Sequence, residues 1–463
     1  MRTAALLVLA TVSPIGAQEG EGDRAPPLLT LQAAMERAAE FSPEYRRALG
    51  ELELLSHPRQ RWWADFIPRL NLTYGTGYDV DRRTSWLGLD GNPIQNPDPT
   101  TVRRSSSLHN LGVEVSLLDG GTRFRQLGER RAQWHQREAS ASGLLNQTLA
   151  GVQRRYLAAQ KAQAQLALEE ELLRGAEEDI RSKRSRYELL AIRRSELLSA
   201  ELDLENQRVA VGRARGELEK ALLSLRTAIG DPGLGSFAIE ATAPAPFDPA
   251  GLDVLALLAA AQRESPSVAS AEAEIEVRRA ALRTASGWRW PTVRLSATMG
   301  SSTNAPGGTE LFGFETNTDR FAYGYQLGVN LAVPVFDGFQ RSYATATAAS
   351  ALSASEASLR HARLGVEESI RSRYLDLATA WASVTQQAKA TEVASQRRAI
   401  ANEEYLLATI GIEELRSATR DEERARRDAL LRRFEFAEAL LALHEEAGIV
   451  AREAGIGASP GSG

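Results

Sequence analysis

Tyr323-Gly324-Tyr325-Gln326-Leu327-Gly328-Val329-Asn330-Leu331-Ala332-Val333-Pro334-Val335-Phe336-Asp337-Gly338 changes period within sixteen residues. Seven apolar or aromatic side chains, from Tyr323 by twos to Val335, alternate with Gly324, Gln326, Gly328, Asn330 and Ala332. That alternation predicts a strand with one apolar and one polar face. Asp337-Gly338 then punctuates the chain, and a helical pattern runs on to about residue 406.

Working outward, the same ending stands earlier as Leu117-Leu118-Asp119-Gly120, a shift of 218 from Asp119 to Asp337. Downstream the shift persists: Tyr156 with Tyr374, Tyr187 with Tyr405, Leu197 with Leu415, Gly230 with Gly448. Upstream it becomes 223, pairing Ser42-Pro43 with Ser265-Pro266 and Pro68-Arg69-Leu70-Asn71-Leu72 with Pro291-Thr292-Val293-Arg294-Leu295. The chain is therefore written twice, and each half has the order helix, strand, strand, long helix, turn, helix.

These landmarks set the expected boundaries. Residues 1–17 read as a signal peptide, with Arg2, an apolar stretch and a polar start after Ala17, and are set apart from the fold. A first repeat spans 18–230, with a helix at 30–66, strands at about 68–80 and 108–118, and helices at about 120–188 and 195–229. Proline and glycine mark 231–250 as a linker. A second repeat spans 251–448, with a helix at 252–289, strands at about 291–301 and 322–335, and helices at about 338–406 and 412–447. A disordered tail is expected over 449–463.

The long helices carry coiled-coil seams. Leu145, Val152, Ala159, Leu166, Leu173, Ile180 and Tyr187 recur every seven residues, as do Leu197, Leu204, Val211, Leu218 and Leu225 on the return helix. The second return helix keeps the pattern more loosely: Leu415, Glu422, Ala429, Phe436, Leu443. A helix over 120–188 is roughly 100 Å long at 1.5 Å per residue, and the two shorter helices of the repeat together match it. Asp119 is placed to cap the first long helix and Ser195 its return helix.

Leu70, Leu72, Tyr74 and Tyr78 alternate with polar neighbours, as do Leu111, Val113, Val115 and Leu117, and Val293, Leu295, Ala297 and Met299. Ten-residue segments of this kind suit a membrane barrel with a wet lumen. A soluble half-buried sheet would alternate equally. The tryptophans favour the membrane: Trp62 and Trp63 precede the first strand, Trp288 and Trp290 the third, and amphipathic rings prefer the headgroup layer. Four strands cannot close a barrel, and open edges are not viable in lipid, so two, three or four copies must join. The segments 81–106 and 303–320 read as long outer loops.

With 463 residues, 25% of them charged, and a formal net charge of -5, the chain carries no nucleic-acid signature. It has no cysteine, and its histidines (57, 109, 135, 361 and 444) do not sit at metal-ligand spacing. No phosphate loop or nucleophile elbow occurs, so neither an enzyme nor a cofactor is expected. The alternative class is a soluble periplasmic coiled-coil scaffold, which would remain in the soluble fraction.

These residues resemble the TolC family of outer membrane efflux proteins over about 29–448. The likeness is carried by the duplicated order, the Ser-Pro in each first helix, the Pro-x-Leu or Pro-x-Val strand starts, and above all Val333-Pro334-Val335-Phe336-Asp337-Gly338. The resemblance implies a mainly α fold with membrane β: long antiparallel coiled-coil helices forming a periplasmic tunnel, and four strands per chain in a shared twelve-stranded barrel. It implies a homotrimer in the outer membrane, an equatorial collar near 231–250, and docking to an inner-membrane transporter through a periplasmic adaptor (membrane fusion) protein, for efflux or type I secretion. The helical turns at 187–197 and 405–415 become periplasmic tips and gate, where Tyr187 and Tyr405 occupy the family's tyrosine and Glu196 and Glu414 its acidic position. The family's glycine is Leu190 in one tip and Ala408 in the other, its second acidic residue is Ser417, and its linking arginine is Ile410. Three copies of Glu414 would ring the axis and favour cations. A solvated first-turn carboxylate, favoured by the helix dipole, is the simpler reading.

Overall fold

A computed structural model describes residues 27–60, 62–87, 92–242, 245–287, 291–306, 321–333, 335–407 and 409–456. The expected signal peptide, Trp288, Trp290, Ala408 and the last seven residues lie outside them. The chain divides into two compact units. One holds Met1–Phe41, Val152–Ala245 and Gln387–Phe434; the other holds Ser42–Gly151, Pro246–Gln386 and Glu435–Gly463.

The two long helices, α3 (Thr122–Glu188) and α7 (Gln340–Leu406), each have 67 residues. They return through α4 (Arg194–Ile229) and α8 (Ile412–Glu446). Both start the same way. Asp119 accepts from the backbone N–H groups of Gly121 (3.0 Å) and Arg123 (3.0 Å) and pairs with the Arg123 Nε at 2.8 Å. Asp337 repeats this with the Arg341 N–H at 3.2 Å and its Nε at 3.1 Å. Free amides of the first turn thus find a carboxylate that also suits the helix dipole.

In the first unit the α3–α4 seam closes on Ile180, Ala200 and Leu204, with Leu173, Ala176 and Leu197 packed on them. The polar member of the α8 heptad is also buried: Glu422 is 4% exposed. It is tolerated because Arg398 (3.0 Å) and Arg426 (2.9 Å) both reach its carboxylate.

The linker is tied down rather than free. Its β4 (Ala238–Ile239) pairs in parallel with β1 (Leu28–Leu29), a two-stranded sheet that no periodicity announces. The Tyr156 hydroxyl donates to the Leu29 carbonyl at 2.9 Å and accepts from the Glu240 N–H at 3.3 Å. Gln160 donates to the Glu240 and Thr242 carbonyls.

The first helix of each repeat is two helices. α1 (Leu31–Phe41) gives way at Ser42 to α2 (Pro43–Gln60), and α5 (Val254–Glu264) gives way at Ser265 to α6 (Pro266–Ser286). The continuous helices expected over 30–66 and 252–289 are corrected by proline chemistry. The residue before proline is driven out of the helical region, and Ser265 has φ -61° and ψ 127°. Proline then serves as the first residue of the new helix, where no N–H is needed.

The core of the second unit gathers Ala261, Val268, Val366, Ile370, Leu377, Phe436, Leu443, Ala447 and Ile449. α8 stops at Gly448, which has φ 73° and donates to the Glu445 carbonyl, while the Ile449 N–H reaches back to His444. A Cβ on Gly448 would lie 2.6 Å from the Glu264 carbonyl oxygen. Gly448→Ala is therefore expected to cost about 2–4 kcal/mol, from the left-handed conformation and the contact with immovable backbone. Thermal melting of the purified protein measures it, and an unchanged midpoint would refute the packing argument.

Among the described residues the four longer strands form one sheet of order β2-β3-β5-β6, antiparallel throughout: β2 (Arg69–Leu87), β3 (Pro93–Asp119), β5 (Thr292–Pro306) and β6 (Phe321–Ala332). The repeats meet at β3–β5, leaving β2 and β6 as edges. The long outer loop expected over 81–106 is largely strand, since β2 continues to Leu87 and β3 begins at Pro93. Asp81-Arg82-Arg83-Thr84 lacks alternation in the sequence, yet the backbone ladder continues through Asp81, Arg82 and Arg83, because its hydrogen bonds require no particular side chain.

Candidate functional site

Register decides what the sheet can do. Leu70 pairs with Val113, Val113 with Ala297 and Ala297 with Leu327. The next row is Leu72, Leu111, Met299 and Tyr325, and Val115, Leu295 and Val329 form another. Between these rows lie Asn71, Gly112, Thr298 and Gln326, then Arg69, Glu114, Ser296 and Gly328. Because side chains alternate, four separate patterns fuse into one apolar face and one polar face. On the outer strands the apolar side chains are exposed, Leu72, Tyr325, Leu327 and Val329 among them, while Val113, Val115, Leu295 and Ala297 on the two central strands are half-buried. On the polar face Arg294 stands 3.8 Å from Glu114.

One strand departs from the expected pattern. A bulge between Ser116 and Leu118 brings Leu118, not Leu117, opposite Val293. An inserted residue reverses the parity of the positions beyond it. Of the four expected interface tryptophans, Trp63 is half exposed beside the start of β2. Among the described residues, no helix is long and apolar enough to cross a membrane.

The second candidate region is the pair of helical turns. Leu190 comes just after α3 with φ 55°, donating to the Tyr187 carbonyl at 2.9 Å, and Ala191 donates to Arg186 at 2.8 Å. This is the glycine-type helix stop, built here on a leucine. The other turn has the matching long bond, from the Thr409 N–H to the Glu404 carbonyl at 2.9 Å. Leu189, Leu190 and Leu407 project into solvent, with Leu190 90% exposed.

Two of the expected tip residues come together across 209 positions: the Tyr405 hydroxyl donates to Glu196 at 2.9 Å. Burial and then the neighbouring Glu196 raise the Tyr405 phenol above its ordinary value. A raised pKa means the link holds at neutral pH and is lost only as pH rises through the raised value. Tyr187 stays half-buried, and Glu414 is an exposed first-turn carboxylate whose N–H donates to Gly411. Ser195 does not cap α4. The cap position is Arg193, with no side-chain bond, so Ser195 falls inside the first turn.

Sequence reading missed two further links. Arg416 on α8 grips both oxygens of Asp203 on α4 at 2.9 Å and reaches Glu413 at 3.2 Å. Arg427 grips Glu169 on α3 through two bonds of 2.7 and 2.9 Å, and Gln207 on α4 donates to the same carboxylate at 2.7 Å. The Arg427 hydrogen bonds, helped by Gln207 and opposed by burial, hold the Glu169 carboxyl below its usual range. That stabilisation is present above the ordinary carboxylate pKa and fades as pH falls through the lowered one. One signal was available: Asp203 lies one heptad beyond Glu196, so both share a helix face.

The profile of the outer membrane efflux protein family matches residues 38–231 and 257–448, one segment in each repeat. The chain belongs to that family. Protein CyaE of Bordetella pertussis is 27% identical over 361 residues, covering 77% of this chain and 70% of CyaE. Among solved structures, CusC, described for transmembrane channel formation, aligns with a TM-score of 0.69 at 16% identity over 90% of this chain and 92% of its own. The open-state outer membrane channel MtrE of Neisseria gonorrhoeae aligns with a TM-score of 0.66 at 17% identity over 90% and 88%. This efflux-family chain thus has the TolC-type fold read from its duplicated motifs. As a member of that family it is an export channel of the outer membrane with a periplasmic tunnel. The soluble scaffold reading gives way.

Proposed function

We propose that three copies close the sheet into a twelve-stranded barrel and line the tunnel below it with their paired long helices. One observation carries this reading: a sheet with a continuous apolar face, a polar face opposite and, among the described residues, two unpaired edges in β2 and β6. Open edges are costly in lipid, and β6 of one copy beside β2 of the next removes both. The polar face then lines the water-filled lumen. The chain performs no chemistry itself; an inner-membrane transporter supplies cargo and energy, and a periplasmic adaptor joins it to the duct. The exposed leucines of the turns, Leu189, Leu190 and Leu407, suit docking to that adaptor.

In the resting duct, Tyr405–Glu196 and Arg416–Asp203 hold the second hairpin against the first near the turns. Breaking both frees the second hairpin to swing outward. Tyr405→Phe combined with Arg416→Ala is expected to raise single-channel conductance in planar bilayers severalfold, while each single change does less. Conductance identical to the unaltered channel would remove the latch. Glu414, in three copies, is the residue for cation preference. Glu414→Ala should lower cation selectivity in the same recordings, and unchanged selectivity would reduce it to a solvated helix-start carboxylate.

A further inference from the structure

The two repeats place charge differently just below the sheet. α3 opens with Arg123, Arg125, Arg130 and Arg131, whereas the equivalent positions of α7 are Arg341, Tyr343, Ala348 and Ala349. α6 carries Arg279 and Arg283 near its end, where α2 has Ser56 and Gln60. The fold brings these extra cations together. Asp119 pairs with Thr292, so α3 leaves and α6 arrives at the same end of the two central strands, side by side and in opposite directions. Gln136 donates to Glu274, and Thr284 to Glu129 at 3.3 Å, across the two helices. Beside this contact lies a cleft of 540 Å³ lined by Phe124, Arg125, Arg131, Glu276, Arg279 and Arg283. Gly128 also faces it, and no atom lies within 4 Å of where its Cβ would stand, so the floor is open. Arg125 is committed to the Gly120 and Gly287 carbonyls. Arg131, Arg279 and Arg283 are exposed and have no acidic partner among the described residues. Four arginines thus face one carboxylate, Glu276, while His135 at the rim faces Glu138 at 3.3 Å.

We propose that this cleft binds the phosphate headgroup of an anionic phospholipid in the periplasmic leaflet, held by Arg131, Arg279 and Arg283. The proposal rests on the membrane placement of the sheet. Guanidinium groups grip phosphate oxygens through paired N–H bonds, and an arginine without a carboxylate is free to do so. Depth supports lipid as the occupant. Arg283 and Arg279 stand three and seven residues before the end of α6, about 5 and 10 Å at 1.5 Å per residue, and Arg131 is about 14 Å into α3. The headgroup layer is about 5–8 Å deep, and long arginine stems cover the remaining distance. Phe124, 64% exposed and 5.2 Å from the Phe66 ring, gives the cleft an apolar mouth on the side of the sheet, where acyl chains would lie. The cleft also opens in the right direction. Leu145 follows Arg131 by two heptads on the same face of α3 and lines a second cavity with Ala451 and Ile456. A segment lying across that face would block a tunnel from inside, so the face is the outer one.

Spin-labelled lipid tests this. The assembled channel is reconstituted into phosphatidylcholine vesicles with a trace of nitroxide-labelled phosphatidylglycerol or phosphatidylcholine. Electron paramagnetic resonance then gives the share of each tracer immobilised on the protein. The site predicts severalfold more immobilised phosphatidylglycerol than phosphatidylcholine, falling to near parity in Arg131→Gln/Arg279→Gln/Arg283→Gln. No preference in the unaltered channel, or one that survives the triple change, overturns the proposal. Gly128→Leu fills the cleft and keeps every charge, so it must lose the preference too; a retained preference means diffuse attraction and no site. Should Gly128→Leu not assemble, Arg360→Gln/Arg371→Gln/Arg373→Gln removes the same charge from α7 and must keep the preference, with loss read as diffuse attraction. Glycerol phosphate dissolved at millimolar concentration should compete weakly. If it abolishes the preference, the occupant is a soluble anion and the lipid assignment fails. Phosphatidylcholine immobilised without preference sinks the headgroup site alone, whereas immobilisation of neither tracer sinks the membrane placement beneath it.

Discussion

Val329→Arg is expected to remove the protein from the outer membrane almost completely. Val329 is 68% exposed, sits mid-strand on β6 and pairs with Leu295 in the apolar face. An arginine on the lipid side of a barrel costs about 2–4 kcal/mol at the bilayer midplane, and the proposed three-copy channel would incur it three times. Its neighbour makes the control. Asn330 pairs with Arg294 on the polar face, so Asn330→Arg should insert normally and alter ion selectivity instead. Immunoblots of membrane fractions, with and without heating to dissociate oligomers, separate the outcomes. If Arg at 329 were tolerated and Arg at 330 were not, the assignment of faces would be reversed.

Phe436→Ala is the second large effect, expected to destabilise the protein by about 3–5 kcal/mol. Phe436 is 1% exposed, Phe247 meets its ring edge-on at 5.5 Å, and Trp381 lies at 6.0 Å. Truncation leaves a void bounded by two other rings and by Ile370, Leu377 and Leu443, which helix backbones prevent from collapsing inward. Phe436→Leu keeps most of the volume and should cost far less. Thermal unfolding in detergent gives the comparison, and equal midpoints for the alanine and leucine variants would show that ring packing contributes little.

Much of the fold was legible because it repeats. A seven-residue pattern sustained along Leu145 to Tyr187 admits little except a long packed helix, and α3 runs from Thr122 to Glu188. Asp119 was readable as a helix start because an aspartate before glycine is placed to meet free amides, and it does; Asp337, its counterpart in the second repeat, does the same. Ser195 misled for a related reason. A small hydroxyl residue near a turn satisfies the composition of a cap, but a shift of two residues puts it inside the helix. The Ser42 and Ser265 breaks were visible as Ser-Pro, yet propensity on either side outweighed them until the backbone dihedrals were known.

The tips were legible in their parts and not in their partnership. Tyr405 and Glu196 were each singled out, but their bond joins α7 to α4 across 209 residues. Arg416 and Asp203, and Arg427 and Glu169, look like any of the many charges on solvated helix faces until three helices are packed side by side.

By itself the sequence determined everything that depends on local period: the duplication, the coiled-coil helices, the alternating strands, and the turns between them. Those features arise from helical and strand geometry, which any short window of residues expresses. Tertiary structure alone decided that β3 of one repeat joins β5 of the other, that Leu118 rather than Leu117 faces Val293, and that the linker supplies a strand to β1. These are pairings between distant segments. Backbone hydrogen bonds carry no residue identity, so only the requirement that apolar rows coincide across four strands selects among them.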